Sequence, residues 1–344
     1  MWEQRWHPLR REWVVIAAHR NQRPWSGAAA AATPAAEPYR ADCYLCPGNA
    51  RVHGAVNPPY AGIHVFPNDH PCVGPEATDP LPATGPYRRR DARGRALVVC
   101  YHPRHDLRLA RLGRERIAAL ISVWASEERR LAREPGVRHV LIFENNGTAV
   151  GVSNPHPHNQ IYATNFVFRA VEDAMAAERE HGGSGGNSGS GGLFGSIIRA
   201  ERSDAVRILH DRDGALAFVP WFARYAYEIY VAPERRVPRL ADLDGNERLA
   251  LAEALKAALV RLDNLWSLPM PYVLAVHQAP ADGSADRDLH CHVVIQPPLR
   301  RPGLLKYLAG PEIGGGNFIA DTLPESGAAQ LRATAADHYL GDVE

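Results

Sequence analysis

The chain has 344 residues, with 39 Lys and Arg against 38 Asp and Glu, for a formal net charge of +1. That balance offers no large counterion-release term, so extended nucleic acid is excluded as the main partner, whereas a small anion needs only a few well-placed arginines. No apolar run reaches the roughly 18 residues of a membrane span, and the start, MWEQRWHPLRREW, lacks the apolar stretch of a signal peptide.

The length suggests about two domain-sized units. Five cysteines, two of them in the CxxC of Cys43 and Cys46, suit a reducing compartment and a metal site better than a disulfide framework. The expectation is a cytoplasmic protein with neither a nucleic-acid nor a membrane partner. Near the start, HPLRREWVVIAAHRNQRPW offers Arg20 and Arg23 after an apolar strand, and their forked donors suit phosphate recognition or simply form a solvated basic face. Cys43 and Cys46 make half of a tetrahedral N/S metal site. The two missing donors are sought in His102 and His105 of CYHPRHDL and in His156; the alternative is two buried thiols. Apolar spacing predicts a helix over 112–135, followed by the strand-like run VRHVLIFEN, a Gly-rich turn and SNPHPHNQIYA. In that last stretch, side chains two apart on a strand share a face, so His156, His158 and Gln160 are expected to project together. Pro155 and Pro157 place them on an edge strand or at a strand end.

The stretch GGSGGNSGSGG, residues 182–192, cannot pack a core and reads as a flexible loop or linker. The halves on either side of it resemble each other. A second helical pattern over 244–266 is followed by PYVLAVHQAP, a polar turn and DLHCHVVIQP, which carries a second HxH pair at His290 and His292. CYLC at 43–46 aligns with GLFG at 192–195. Self-similarity on this scale points to a duplicated module. Each copy reads as a β-meander, a long helix and a strand bearing HxH. The fold class is therefore α+β, with an antiparallel sheet and helices packed on it, divided into modules 1–181 and 193–344.

The segments HPLRREWVVIAAHRNQRPW, CYLCPGNARV, NPPYAGIHVFPNDH, HPRHDL, FENNGTAVGVSNPHPHNQIYA, LHCHVVIQPPL and LLKYLAGPEIG together resemble the galactose-1-phosphate uridylyltransferase family, a branch of the histidine-triad superfamily. The resemblance implies that His158 attacks the α-phosphorus of UDP-glucose, releasing glucose 1-phosphate. Galactose 1-phosphate then takes the uridylyl group in a ping-pong cycle. It implies that Gln160 hydrogen-bonds the phosphoryl oxygens where histidine-triad hydrolases keep a third histidine. It also implies that Cys43, Cys46, His105 and His156 bind zinc.

Further residues carry over by resemblance. Arg20 and Arg23 match phosphate contacts; Leu45, Val52, Phe66, Asn68 and Asp69 match the uridine pocket; Asn145, Gly151 and Ser153 match the loop around the diphosphate. Lys306 and Glu312 match contacts to the hexose phosphate that the family supplies from the second subunit of a homodimer. His277, His290 and His292, with Glu172 or Glu178, match a second metal site (iron or zinc) of some members. The chain departs from the family pattern at Asn159, which stands for the glycine of HPHGQ and is expected beside the reacting phosphate. It departs also at Gly192 and Gly195, where relatives carry a second CxxC, and at Pro311 and Phe318, which replace a tyrosine and a glutamine that contact the sugar. These departures leave open a different sugar or base, such as ADP-glucose, or a nucleotide-binding protein without catalysis.

Overall fold

A computed structural model describes residues 2–22, 37–78, 81–183, 191–283 and 289–343. A hairpin of β1 (Glu3–His7) and β2 (Glu12–Ile16) begins the chain. The strands β3 (His64–Pro67), β4 (Gly94–Cys100), β5 (His139–Asn146) and β6 (His158–Thr164) follow, with helix α1 (Arg114–Leu131) between β4 and β5. Helices α2 (Arg169–Gly183) and α3 (Gly192–Asp204) lead to β7 (Ile208–Arg212), β8 (Ala215–Phe218) and β9 (Ile229–Pro233). Then come helix α4 (Gly245–Asn264), β10 (Tyr272–His277) and β11 (His292–Gln296). The hairpin β12 (Leu299–Arg301) and β13 (Leu304–Leu305), strand β14 (Ile319–Ala320) and helix α5 (Pro324–Arg332) complete it.

Nine strands form one antiparallel sheet in the order β3-β4-β6-β5-β10-β11-β9-β8-β7. Counted outward from the β5–β10 seam, β5, β6, β4 and β3 on one side match β10, β11, β9 and β8 on the other. Helices α1 and α4 occupy the same place in each series, and His158 and His292 are the first residues of β6 and β11. Of the Gly/Ser stretch, Gly182 and Gly183 end α2 and Gly192 begins α3, while 184–190 lie outside the described residues.

One face of the sheet is covered by α1 and α4, which lie against each other. In α1 the buried Ile117, Leu120, Ile121, Trp124 and Leu131 recur at helical spacing and pack on Val99, Val140, Ile142, Ile161 and Ala163 of the strands. The start of α4 is fixed by a capping box between Asp244 and Glu247, an arrangement that typically contributes about 1 kcal/mol. The opposite face differs between the two halves. In the second half α2 and α3 cover it, burying Val171, Phe194 and Ile198 against Phe218, Tyr230 and Val294. In the first half the corresponding face of β6 borders a cavity.

Candidate active site

Cys43, Cys46, His105 and His156 are all buried, and their ligand atoms lie within 4.8 Å of one another. Cys46 Sγ is 3.7 Å from His105 Nδ1 and 3.5 Å from His156 Nδ1. Nε2 of His156 lies 3.1 Å from the His102 carbonyl and 3.0 Å from the Tyr60 hydroxyl, which itself donates to the Leu45 carbonyl at 2.6 Å. A proton on Nε2, donated to the His102 carbonyl, leaves the Nδ1 lone pair facing the cluster, which is how outer groups orient a metal-bound imidazole. Burial pushes the Cys46 thiol up to about 11. Two thiols and two imidazoles at this separation can hold a metal, and the donor set is compatible with zinc. His102 is not in the group: its Nδ1 accepts from the Arg104 N–H at 3.1 Å, and its contribution is the carbonyl behind His156.

His156, His158 and Gln160 do not share one strand face as the alternation predicts. Pro155 and Pro157 lack N–H donors, so the ladder begins only at His158, and His156 turns to Cys46 instead. His158 and Gln160 do border the same cavity, of about 250 Å³, together with Tyr44, Leu45, Val52 and Phe66. Asn68, Asp69, Ser153 and Tyr162 line it too. Nδ1 of His158 is 2.7 Å from the His156 carbonyl. The proton therefore sits on Nδ1 and the lone pair on Nε2. Burial also lowers the affinity of this imidazole for a second proton. Gln160 Oε1 accepts from Asn68 Nδ2 at 3.2 Å and from the Tyr162 hydroxyl at 3.1 Å, which leaves the Nε2 amide as the donor. Beneath Asp69, the Arg51 guanidinium stands 3.7 Å from its carboxylate and 4.3 Å from the Phe66 ring centre. Tyr44, Arg51, His70 and Tyr162 were not anticipated from the sequence; only Tyr162, four residues along β6 from His158 and so on its face, had a readable signal.

Asn145 and His158 border a second cavity, of about 400 Å³, with Arg108, Glu144 and Asp263. Gly151 lines neither cavity; it is exposed with φ 78° and ends the short turn Thr148–Val150. Arg20, Lys306 and Glu312 meet elsewhere, in a cavity of about 230 Å³ that also includes Pro311 and Asp321. There Lys306 Nζ donates to Glu312 Oε1 at 2.9 Å. Phe318 packs on the buried Val14 and Ile16 rather than lining that cavity. Arg23 lies outside the described residues.

Two expectations require correction. Asn159 does not face the reacting phosphate. Being one residue from His158 on β6, it projects to the opposite, helix-covered side, where it is fully buried and bonded to Glu144 and Trp124. The second metal constellation does not assemble either: among the described residues only the Cys43 group brings three or more such ligand atoms together. The rings of His277 and His292 are 5.2 Å apart, but Phe194 stacks on His292 at 4.3 Å and stands 5.1 Å from His290. Glu172 is exposed on α2. Glu178 is buried, but accepts the Leu193 and Phe194 N–H groups at 2.8 and 3.2 Å and so caps α3. A side chain at Gly192, where φ is +74°, would bring a Cβ within 2.8 Å of that carboxylate.

A buried group of two thiols and two imidazoles able to hold a metal, close in sequence to a histidine whose Nε2 lone pair borders a cavity, is an arrangement that an imidazole nucleophile would require. The family described as Galactose-1-phosphate uridyl transferase, N-terminal domain, matches residues 1–167, and its C-terminal domain matches 183–342. The galactose-1-phosphate uridylyltransferase of Cryptococcus neoformans is 36% identical over 95% of this chain and 89% of its own. A solved structure described as uridylyltransferase superposes with a TM-score of 0.76 at 29% identity, covering 97% of this chain and 98% of its own. An ADP-glucose phosphorylase from Arabidopsis thaliana shares the fold, with a TM-score of 0.77 at 19% identity over 97% of this chain and all of its own. The chain belongs to the galactose-1-phosphate uridylyltransferase family.

Proposed function

We propose that the protein transfers a uridylyl group from UDP-glucose to a hexose 1-phosphate, giving UDP-galactose and glucose 1-phosphate when the acceptor is galactose 1-phosphate. The observation that carries this reading is the tautomer of His158: Nδ1–H is committed to the His156 carbonyl, so Nε2 offers a lone pair to the cavity. Nε2 bonds to the α-phosphorus as the bond from that phosphorus to the glucose 1-phosphate oxygen breaks. The acceptor phosphate oxygen then reverses the exchange, displacing Nε2. The Gln160 amide donates to the phosphoryl oxygens without itself titrating. Phe66, Leu45 and Val52 receive the uracil, and the Asp69 carboxylate the ribose hydroxyls. Asn145, Gly151 and Ser153 serve the diphosphate.

Cys43, Cys46, His105 and His156 hold zinc, which, when bound, ties the loop of residues 43–46 to the residues just before β6. Arg20, Lys306 and Glu312 share no cavity with His158. That separation supports a homodimer in which this cluster reaches the hexose phosphate held by a second copy of the chain; Arg23, assigned to phosphate by resemblance, lies outside the described residues. We assign the modules to 1–181 and 193–344, joined by 182–192. Among the described residues no helix is long and apolar enough to cross a membrane, and five free cysteines support a reducing, cytoplasmic setting.

The test is incubation with UDP-glucose radiolabelled at the α-phosphorus. Wild type is expected to acquire one acid-labile label per active site, and His158→Ala none. Wild type that binds UDP-glucose yet stays unlabelled would sink the covalent route. A parallel panel of UDP-, ADP- and GDP-sugars reads the base, and preferential labelling by ADP-glucose would overturn the uridine assignment.

A further inference from the structure

Asn159 stands between the two residues that act on the substrate, yet its side chain points away from them. It is completely buried in a layer otherwise made by Val99, Ile142, Ile161 and Leu120. Asparagine is a poor strand former and costly to bury, so its presence at the centre of a strand calls for compensation. The compensation is complete in one rotamer. Trp124 Nε1 of α1 donates to Asn159 Oδ1 at 3.1 Å, and Asn159 Nδ2 donates to Glu144 Oε2 on β5 at 2.8 Å. The other oxygen of Glu144 accepts from Asn146 Nδ2 at 2.8 Å, from the Tyr101 hydroxyl at 3.1 Å and from the Tyr272 hydroxyl at 3.4 Å. The carboxylate is thus fixed from β5, β10 and the end of β4, and it fixes Asn159 in turn.

We propose that Asn159 is a positioning residue for His158 and Gln160, anchored on the reverse face of β6 by Trp124 and Glu144. The proposal rests on the reading of His158 as the nucleophile. The physical link is short. The peptide planes on either side of the Asn159 Cα are rigid and carry His158 and Gln160, so the torsions of residue 159 set the direction in which both side chains leave the strand. A side chain with two buried hydrogen bonds restricts those torsions. A glycine there would lose both bonds and gain backbone freedom. Asn159 and Trp124 line neither cavity that His158 borders, and Glu144 lines the cavity of about 400 Å³ but not the one assigned to the uridine, so the anchor should act on the rate of attack more than on UMP affinity.

The experiment measures two quantities on the full-length protein: the single-turnover rate of label transfer from UDP-glucose to the protein, and the dissociation constant for UMP by calorimetry. In Asn159→Ala and Asn159→Gly the rate should fall at least about tenfold, since displacements of an ångström are worth factors up to about a hundred. The UMP constant should stay within about twofold. Asn159→Asp should be slower than Asn159→Ala, because it sets a second carboxylate against Glu144. Adding Glu144→Gln to Asn159→Asp restores a carboxylate–amide pair with its members exchanged, and should recover most of the lost rate. Trp124→Phe removes one donor while keeping a ring in the core, and supplies a milder variant whose rate should fall severalfold.

Wild-type rates in Asn159→Ala and Asn159→Gly overturn the proposal. So does a double variant no faster than Asn159→Asp, or a fall in rate matched by an equal loss of UMP affinity. If wild type itself acquires no label, the nucleophile reading fails first, and that failure is visible without any variant.

Discussion

His290 provides a measurable consequence of how tightly the second half of the sheet is closed. It is 3% exposed, its Nε2 lies 2.8 Å from the Pro233 carbonyl, and its Nδ1 has no partner. Burial lowers its pKa from 6.5 to about 4. The unfolded chain binds a proton here as pH drops below about 6.5, whereas the folded protein binds none until about pH 4. Stability due to this residue is therefore complete above pH 6.5 and is lost as the pH falls, by about 1.4 kcal/mol per unit. Between pH 6.5 and 5 that amounts to about 2 kcal/mol. Glu144 acts in the opposite direction: burial raises it to about 7, so the folded state takes up a proton first and gains stability between about pH 7 and 4.5. A comparison with His290→Gln cancels Glu144 and every other shared group. Urea denaturation of both proteins at pH 7, 6 and 5, in the presence of a chelator, should show wild-type stability falling more steeply by close to one proton. The variant has its own fixed offset from the altered hydrogen bond, which does not affect the slope. Parallel curves would refute the reasoning, because they would mean that His290 titrates normally or is held by a metal.

At the active site, burial lowers the His158 pKa below 6.5, so the half-maximal point in the pH dependence of labelling by UDP-glucose should lie below pH 6.5, as a rapid-quench pH series can show. If the Cys43 group holds zinc as proposed, Cys43→Ser should take metal content by mass spectrometry from about one equivalent to nearly none, with the thermal midpoint lowered and the preferred sugar unchanged. Full metal content in that variant would place the metal elsewhere. Asp69→Ala should weaken UMP binding about 10- to 100-fold, the range for hydrogen bonds to a charged group, with little change in global stability; an unaltered constant would remove Asp69 from the ribose.

Much of the site was readable because its signals are local. CxxC, HxH and the helical period of 112–135 each fix residues a few positions apart, and strand alternation correctly grouped His158 with Gln160. The same alternation, applied to Asn159, would have sent it to the far side of β6; comparison with a family motif, which is one-dimensional, put it beside the phosphate instead. The prolines had the converse effect. They were read as marking a strand end, but not as freeing His156 from the strand to reach Cys46. The grouping of Arg20 with Lys306 and Glu312 depends on β14 pairing in parallel with β2 across some 300 residues of chain, and no local pattern encodes that.

The fate of the second HxH shows why chemistry could not be inferred from the motif alone. His292 opens β11 as His158 opens β6, and its Nδ1 lies 2.8 Å from the His290 carbonyl, as that of His158 lies 2.7 Å from the His156 carbonyl. Both imidazoles are thus in the same tautomer, and burial lowers both. What separates them is what covers the face of the strand. Over His292, α3 lays the Phe194 ring at 4.3 Å, Tyr230 stacks at 5.4 Å, and Nε2 itself is buried from solvent. Over His158 there is a cavity. Phe194 reaches His292 because Glu178 caps α3 through the backbone of Leu193 and Phe194, and Gly192 leaves room for that carboxylate. One duplicated strand therefore carries a histidine that borders a cavity and the other a core histidine, and the ring that covers the second belongs to a helix whose capped start lies more than ninety residues away in sequence.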